Sequence, residues 1–182
     1  LTTELAVGFK DFVSPDTPDI YPEELRADID ALNVIIYADF NLAVNLAALV
    51  TNQKDYEYYY DRIFARLDWL EERLSKQRYL MGDTITDSDI RIFPTLARFD
   101  LVFYQKYLVN KKRLVDYPNL WNYAKDLYSN PAFGGTTDFD SMRKRFYYVD
   151  HTPFEDLPRL VPKGPDDSIW LEPNDRAEKF GK

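Results

Sequence analysis

A stripe of polar side chains recurs every fourth residue in the first third of the chain. The stripe is made of Asn33, Tyr37, Asn41 and Asn45. A spacing of four places these residues on one face of a helix. The second half of the stripe falls in residues 40–53, which carry no charge. The simpler interpretation is a solvent-facing surface or a set of packing amides, and the alternative is the wall of a ligand pocket. The pocket gains support because polar side chains in an uncharged segment need hydrogen-bond partners if they are buried.

Other kinds of catalytic site lack their side chains in this sequence. The chain has no cysteine, so it offers neither a disulfide nor a thiol nucleophile. Its one histidine, His151, lies in a proline-rich segment, where a Ser-His-Asp triad is a poor hypothesis. We find no glycine-rich phosphate loop, no metal-spaced His/Cys cluster and no Ser-x-x-Lys motif. The pairs Asp87/Asp89 and Asp138/Asp140 are explained more simply as helix caps than as acid–base pairs.

The stretch 82–100 predicts the helix around which the fold is built. Thr86 can act as its N-cap, and Asp89, three residues later, completes a capping box. Ile85 and Ile90 are placed to close a hydrophobic staple over that cap. The apolar residues that follow point in nearly every direction, which is typical of a buried helix. We therefore expect a central core helix that is capped by Thr86 and Asp89.

Apolar residues at helical spacing predict further helices on both sides of this core helix. One begins after Pro22, and others cover residues 55–74, 119–129 and 137–148. Because residues 40–53 carry no charge, we expect that half of the first helix to be buried. These elements predict an all-α fold.

The two ends of the chain differ in composition from the helical region. Residues 13–22 carry three prolines and are typical of a linker. Residues 149–182 carry five prolines and many charges, which makes them too proline-rich for regular structure. Their aromatic residues indicate that they wrap over a neighbouring surface instead of remaining disordered.

Charge and hydropathy exclude several classes of partner. The net charge of −8 argues against nucleic acid and against an anionic membrane surface. No apolar run approaches the ~20 residues of a membrane-spanning helix, and no secretory signal opens the chain. Together with the absence of cysteine, this pattern predicts a cytoplasmic protein.

Several segments resemble the C-terminal helical domain of glutathione transferases. They are YPEELRADIDALNVIIY, LDWLEERLSKQRYLMGD, YLMGDTITDSDIRIFPTLARFD and DYPNLWNYAKDLYSNP. A Gly-Asp pair followed by a Thr-x-x-Asp cap gives the general likeness. The longer segments are similar to the glutathionyl-hydroquinone reductase branch, the Xi-class transferases, and the resemblance covers roughly residues 20–182.

This resemblance implies a fold and a division of the chain. The fold is an all-α helical bundle of the glutathione transferase C-terminal type with an irregular C-terminal tail. Residues 1–20 would be a linker and the end of a missing thioredoxin-like domain, and residues 21–148 would be the helical domain. Residues 149–182 would be an extended tail that packs on the domain or on a partner.

The resemblance also implies an activity and its partners. In this branch a cysteine of the thioredoxin-like domain attacks the sulfur of a glutathionyl-hydroquinone, and a second glutathione resolves the mixed disulfide. Glutathione would be a co-substrate bound mainly by the missing domain, no metal would be needed, and the protein would form a homodimer. No catalytic residue lies in this chain, which should be inactive alone and should supply the pocket wall for an aromatic substrate.

Two tyrosines of the family's helical domain are expected to hydrogen-bond the ring oxygens of the substrate. The first falls at Asn45, which can donate a hydrogen bond but is shorter and less acidic than a phenol. Tyr37, two turns earlier on the same stripe, is a conceivable substitute, and Asn41 lies between them.

The second tyrosine falls in the segment RKRFYYVDH, on Phe146 or Tyr147 according to where one gap is placed. We prefer Tyr147 and keep Tyr148 as an alternative. The predicted substrate-binding set is therefore Tyr37, Asn41, Asn45, Tyr147 and Tyr148.

A charged residue next to the buried helix allows two interpretations. Arg98 can reach either Asp100 or a ligand, and we expect a structural ion pair with Asp100.

A non-catalytic interaction scaffold is the competing hypothesis for the whole chain. Helical domains of this fold also serve as docking modules, and the absent cysteine, the acidic charge and Asn45 in place of a tyrosine are compatible with that role. A thioredoxin-like domain with a Cys-Pro motif in the same protein would favour the enzyme.

Overall fold

The computed structural model describes residues 2–12, 14, 17–148 and 160–181. Throughout these ranges the regular elements are helices, and the pairing of Tyr79 with Gly82 is an isolated bridge outside any strand. The predicted all-α fold is therefore confirmed. His151 lies outside the described residues.

The helices follow one another through short connections. The α-helices are α1 (Thr2–Gly8), α2 (Arg26–Ile36), α3 (Ala43–Leu49), α4 (Gln53–Leu74), α5 (Asp87–Arg98), α6 (Tyr104–Lys106), α7 (Pro118–Ser129), α8 (Pro131–Gly134), α9 (Phe139–Tyr148) and α10 (Arg176–Phe180). The π-helical turns are Tyr37–Asn41, between α2 and α3, and Phe99–Phe103, between α5 and α6. The 3-10 turns are Lys10–Phe12, Glu23–Leu25, Leu114–Asp116 and Asp167–Leu171.

The predicted central helix is α5. Ile92 and Leu96 are fully buried, and Phe93 and Ala97 are nearly so. Both α2 and α7 pack against α5. The core of the domain is thus assembled around this helix, as the apolar sequence predicts.

One stripe of α5 remains outside the core. Arg91 and Pro94 are exposed and Arg98 is half-buried, at spacings of three and four residues. The expectation that apolar residues surround the whole helix is therefore wrong on this side. Pro94 lies in this outer stripe, and the helix continues through it from residue 87 to residue 98.

The capping box at the start of α5 is present and is larger than predicted. Asp89 Oδ2 accepts hydrogen bonds from the backbone N–H (2.8 Å) and the hydroxyl (2.9 Å) of Thr86. Asp89 Oδ1 accepts from the N–H of Leu80 (3.0 Å) and the hydroxyl of Tyr123 (2.7 Å). All four residues are fully buried. The cap therefore also joins the preceding loop and α7 to α5.

Only one face of α3 is buried. Ala43, Val44 and Ala47 are covered, whereas Leu42 is exposed and Leu49 is 74% exposed. The prediction that residues 40–53 are buried is thus wrong for the outer face. The reason is that α3 packs mainly on α4, which covers only one of its faces.

The expectation about membrane spans also needs correction. The helical stretch from Glu23 to Leu49 is long and apolar enough, by length and composition, to cross a membrane. About a third of its most apolar window is buried inside the domain (33%). Core residues such as Ile29, Ile36 and Phe40 account for much of this apolar character, because they face the interior of the bundle.

The predicted helix 55–74 is observed as α4. It begins two residues earlier because the side chain of Asn52 accepts a hydrogen bond from the N–H of Asp55 (3.0 Å). Near its other end, the Glu71 carboxylate accepts from the first N–H groups of α7, those of Asn119 (3.0 Å) and Leu120 (2.8 Å). This contact fixes α7 beside α4.

The described part of the tail, residues 160–181, packs on the helical domain. Trp170 is 8% exposed and its ring lies 4.7 Å from that of Trp121 and 5.4 Å from that of Phe139. The expectation that the tail lacks regular structure is wrong for two short segments, Asp167–Leu171 and α10. Both begin after the prolines that rule out longer helices.

Arg176 holds the end of the tail to the end of α4. Its side chain is fully buried, and its guanidinium donates to the carbonyls of Leu74 (2.6 Å), Gln77 and Arg78 (2.6 Å). These carbonyls lie at and just beyond the C-terminus of α4, where a cation is favoured by the helix dipole.

Candidate functional site

Two residues of the polar stripe, Asn33 and Asn41, join the first helix to α5. Here the first helix means the helical stretch Glu23–Leu49, which contains α2 and α3. Asn33 Nδ2 donates to Asp87 Oδ2 at 2.8 Å in a buried contact. Asn41 Nδ2 donates to the carbonyl of Arg91 (3.0 Å), and its Oδ1 accepts from the hydroxyl of Thr95 (2.9 Å). Asn33 and Asn41 therefore act as packing amides, which was one of the two interpretations of the stripe.

Tyr37 and Asn45 are the other two residues of the stripe. Tyr37 is 59% exposed, and Asn45 is exposed and donates its Nδ2 to the carbonyl of Asn41 at 2.9 Å. They lie one turn before and one turn after Asn41. In the described part of the chain, the Tyr37 hydroxyl and Asn45 Oδ1 make no hydrogen bond, so both groups are accessible to a ligand.

The expected ion pair between Arg98 and Asp100 is not formed. Asp100 accepts from the N–H groups of Leu114 (2.5 Å) and Val115 (3.2 Å), and Arg98 Nη1 donates to the carbonyl of Pro94 (2.6 Å). Side chains two residues apart point to different sides of a helix, which explains the separation. Burial raises the pKa of Asp100 and lowers the pKa of Arg98.

Tyr147 lies near the C-terminus of α9 and is half-buried. Its hydroxyl donates to the carbonyl of Leu101 at 3.3 Å, a long bond that a ligand can replace. The ammonium of Lys106 lies 5.3 Å from the centre of its ring, and burial raises the pKa of Tyr147. The neighbouring Phe146 packs instead against the rings of Phe103, just before α6, and Tyr107, just after it. The side chain of Tyr148 lies outside the described residues.

An open groove of about 450 Å³ lies between the end of α3 and the segment after α6. It is lined by Ala47, Ala48, Val50, Thr51, Asn52, Gln53, Tyr56, Lys106, Tyr107 and Leu108. Leu108 has a left-handed backbone (φ 59°), and the hydroxyl of Tyr56 donates to its carbonyl at 2.7 Å. The groove begins just beyond Asn45 and reaches Lys106, the residue that lies over Tyr147. Four predicted substrate residues have described side chains, and none of these four lines it.

Two side chains of this region were missed by the sequence analysis. Thr95, which holds Asn41, is a polar residue at an otherwise apolar position of the core helix, and that exception could have drawn attention to it. Lys106 carried no comparable signal, because its position over Tyr147 depends on how α6 and α9 meet.

The polar groups of this region can donate hydrogen bonds to a ligand, but they include no thiol. They are amides, phenols and cations, and the sequence has no cysteine. Within the described ranges, no three metal-ligating side chains of the His, Cys, Asp or Glu type form a group. Thiol chemistry at this site would therefore need a thiol from outside this chain.

Comparison with known protein families places the chain among glutathione transferases. The family described as "Glutathione S-transferase, C-terminal domain" matches residues 53–126. The glutathionyl-hydroquinone reductase PcpF of Sphingobium chlorophenolicum is 38% identical over 147 residues, which are 81% of this chain and 46% of PcpF. The glutathionyl-hydroquinone reductase YqjG of Escherichia coli is 35% identical over 163 residues, 90% of this chain and 49% of YqjG. The chain thus spans about half the length of these relatives.

Solved structures have the same fold. A glutathione transferase from Gordonia bronchialis superposes with a TM-score of 0.93 at 42% identity, over 100% of this chain and 56% of that protein. The glutathione-bound structure of YqjG gives a TM-score of 0.88 at 32% identity, over 98% of this chain and 56% of YqjG.

Proposed function

Because this chain belongs to the family of glutathione transferase C-terminal helical domains, we propose that it forms the substrate pocket of a glutathionyl-hydroquinone reductase. The observation that carries the proposal is the similarity to two such reductases over at least 81% of the chain. The alternative, a docking scaffold, shares the fold but has no comparable support.

A thioredoxin-like domain would supply the reactive thiol in the complete protein. The relatives are about twice as long as this chain, and this chain contains no cysteine. The helix α1 buries no residue of its own, and an isolated helix of that length is marginal in water. Both observations support a preceding domain against which α1 packs.

The proposed reaction is a two-step thiol exchange. The cysteine thiolate attacks the glutathionyl sulfur, a sulfur–sulfur bond forms, and the bond between sulfur and the ring carbon breaks. The electron pair passes to the ring carbon, which takes up a proton and leaves as part of the free hydroquinone. A second glutathione then attacks the mixed disulfide, which restores the cysteine and releases oxidised glutathione.

The helical domain would orient the aromatic ring and stabilise charge on its oxygens. Tyr37 and Asn45 present free polar groups, and the long bond from Tyr147 to Leu101 can be exchanged for a bond to the substrate. Asn41 would act indirectly, because its side chain is already bonded to α5. Tyr148 stays an alternative to Tyr147.

The test is turnover of glutathionyl-menadiol by the complete protein. We expect turnover, and we expect Asn45→Tyr to raise kcat/KM about tenfold because a phenol is a stronger donor than an amide. Tyr147→Phe should lower kcat/KM at least tenfold, on the order of one lost hydrogen bond to developing charge. A protein that turns over nothing, with or without Asn45→Tyr, would point to the docking scaffold.

A further inference from the structure

Among the described residues, Arg98 has fewer partners than the other partly buried arginines. The one hydrogen bond that its guanidinium makes to these residues runs from Nη1 to the carbonyl of Pro94, one turn earlier on the same helix. Within the described part of the chain, neither a carboxylate nor an aromatic ring lies against its guanidinium. A guanidinium has five N–H donors, so most of its hydrogen-bonding capacity is unused.

Most of the other described arginines are paired more fully. Several are paired with carboxylates, namely Arg62 and Arg66 with Asp39, Arg78 with Asp126, Arg91 with Asp87, Arg113 with Asp116 and Arg143 with Asp167. The fully buried Arg176 donates to three carbonyls instead. Removing a cation from water without a partner costs free energy, and burial does lower the pKa of Arg98. An acceptor from outside this chain would offset that cost.

Hydrogen bonds place Arg98 on the same face as the polar stripe. The first helix and α5 run in the same direction. Asn33 is hydrogen-bonded to Asp87, and Asn41, eight residues later, is hydrogen-bonded to Thr95, which also lies eight residues after Asp87. The guanidinium of Arg98 donates to the carbonyl of Pro94, the residue before Thr95. Its positive charge therefore lies within about one turn of the hydrogen bond between Asn41 and Thr95.

Beyond Asn41, the residues of α3 pack mainly on α4. Asn45 lies one turn past Asn41 on one helix, and Arg98 lies one turn past Thr95 on the other. An amide with a free acceptor and a guanidinium with free donors therefore lie just beyond the Asn41–Thr95 bond, one on each helix.

We propose that Arg98 binds a ring oxygen of the aromatic substrate and supplies the charge stabilisation that Asn45 alone cannot. This inference rests on the proposed function and adds a specific residue to it. When the bond between sulfur and the ring carbon breaks, negative charge spreads from the ring carbon to the ring oxygens. A charge-assisted hydrogen bond from Arg98 stabilises that charge, while the guanidinium remains protonated throughout.

The experiment compares two substrates of the complete protein that use the same thiol. Glutathionyl-menadiol has ring oxygens, whereas the mixed disulfide of glutathione and 2-mercaptoethanol has none. The variants are Arg98→Gln, Arg98→Lys and the matched control Arg113→Gln, which removes a surface charge that is paired with Asp116. Melting temperatures are measured for all of them.

We expect Arg98→Gln to lower kcat/KM for glutathionyl-menadiol about 10- to 100-fold, mainly through kcat, as for one charged hydrogen bond. Its activity with the mixed disulfide and its melting temperature should match those of the unaltered protein. Arg98→Lys should recover part of the loss because it restores the charge without the planar fork. Arg113→Gln should change neither activity.

Three results would overturn the inference. Unchanged turnover of glutathionyl-menadiol by Arg98→Gln would show that Arg98 does not meet the ring. Equal losses with both substrates, or a lower melting temperature, would show that Arg98 holds glutathione, the other domain or the fold. An unaltered protein that reduces the disulfide but not glutathionyl-menadiol would refute the proposed function itself, which is a different outcome from a failure of Arg98 alone.

Discussion

Replacing Asp89 by alanine tests how strongly the central helix depends on its cap. The carboxylate of Asp89 accepts four hydrogen bonds and is fully buried. Hydroxyl groups such as that of Tyr123 can turn towards another acceptor after the substitution. The backbone N–H groups of Thr86 and Leu80 cannot, so both would be buried without a partner.

The expected cost follows from those two N–H groups. A buried donor left unpaired costs about 1–3 kcal/mol, so two cost roughly 2–6 kcal/mol. Removing a buried carboxylate recovers part of this, because burial raises the pKa of Asp89 and so disfavours its charged form. We therefore expect Asp89→Ala to lower the free energy of unfolding by about 3 kcal/mol, or the melting temperature by roughly 6–12 °C. Thr86→Ala, which removes one hydroxyl, should cost only about 1 kcal/mol.

Urea unfolding of this chain, followed by far-UV circular dichroism, measures these differences. Asp140→Ala is the matched control, because Asp140 is also in the first turn of a helix but is exposed and paired with Lys144. It should stay within about 0.5 kcal/mol of the unaltered chain.

Asp89→Asn shows whether the hydrogen bonds to the carboxylate outweigh the cost of burying its charge. The amide keeps the volume of the side chain but brings its NH₂ group against donors that the carboxylate accepted, so we expect a loss of about 1–3 kcal/mol. If Asp89→Asn were as stable as the unaltered chain, or more stable, then burial of the charge would outweigh the hydrogen bonds and the reasoning would be wrong.

Two further predictions concern other parts of the domain. Trp170→Ala should lower the free energy of unfolding by about 3–5 kcal/mol, because it empties the aromatic cluster under the tail; a change below about 1 kcal/mol in urea unfolding would show that the tail contributes little to the fold. Although burial opposes it, hydrogen bonds from Arg66 and Arg62 lower the pKa of Asp39 below its ordinary 3.8. The stability that Asp39 contributes is therefore present above pH 3.8 and is lost as the pH falls through the lower pKa of the folded state. The difference in free energy of unfolding between the unaltered chain and Asp39→Asn should therefore shrink from pH 7 to about pH 3. A constant difference would contradict this linkage.

The parts of the fold that depend on local sequence were predictable. The helix α4 follows from apolar residues at helical spacing, and the start of α5 follows from Thr86 and Asp89, because a cap is made by residues three positions apart. The additional bonds from Leu80 and Tyr123 to Asp89 could not be foreseen, since Tyr123 is 34 residues away in the chain.

The burial of each helix face was less predictable. An uncharged sequence indicated that residues 40–53 are covered, yet Leu49 and Asn45 are exposed. Sequence periodicity identifies an apolar face but does not show whether this chain or another domain covers it. The prediction of an ion pair between Arg98 and Asp100 failed for a related reason, because Asp100 bonds to backbone groups 14 and 15 residues away.

The candidate site was predicted only in part. A spacing of four residues predicted that Asn33, Tyr37, Asn41 and Asn45 share a face, but it could not show which of them would be used to join two helices. That distinction depends on how α5 packs against the first helix. The substrate roles of Tyr37, Asn45 and Tyr147 stay predictions until turnover is measured.

The clasp of Arg176 around the carbonyls of Leu74, Gln77 and Arg78 has a consequence for biosynthesis. Because a ribosome makes proteins from the N-terminus, Arg176 emerges 98 to 102 residues after the carbonyls to which it donates. Until then the carbonyl groups at the end of α4 would lack the guanidinium as a donor, and the aromatic cluster that Trp170 covers would be exposed. A nascent chain that stalls before residue 176 should therefore be sensitive to proteases and chaperones, and a label that obstructs residues 176–181 should reproduce that sensitivity in the folded domain.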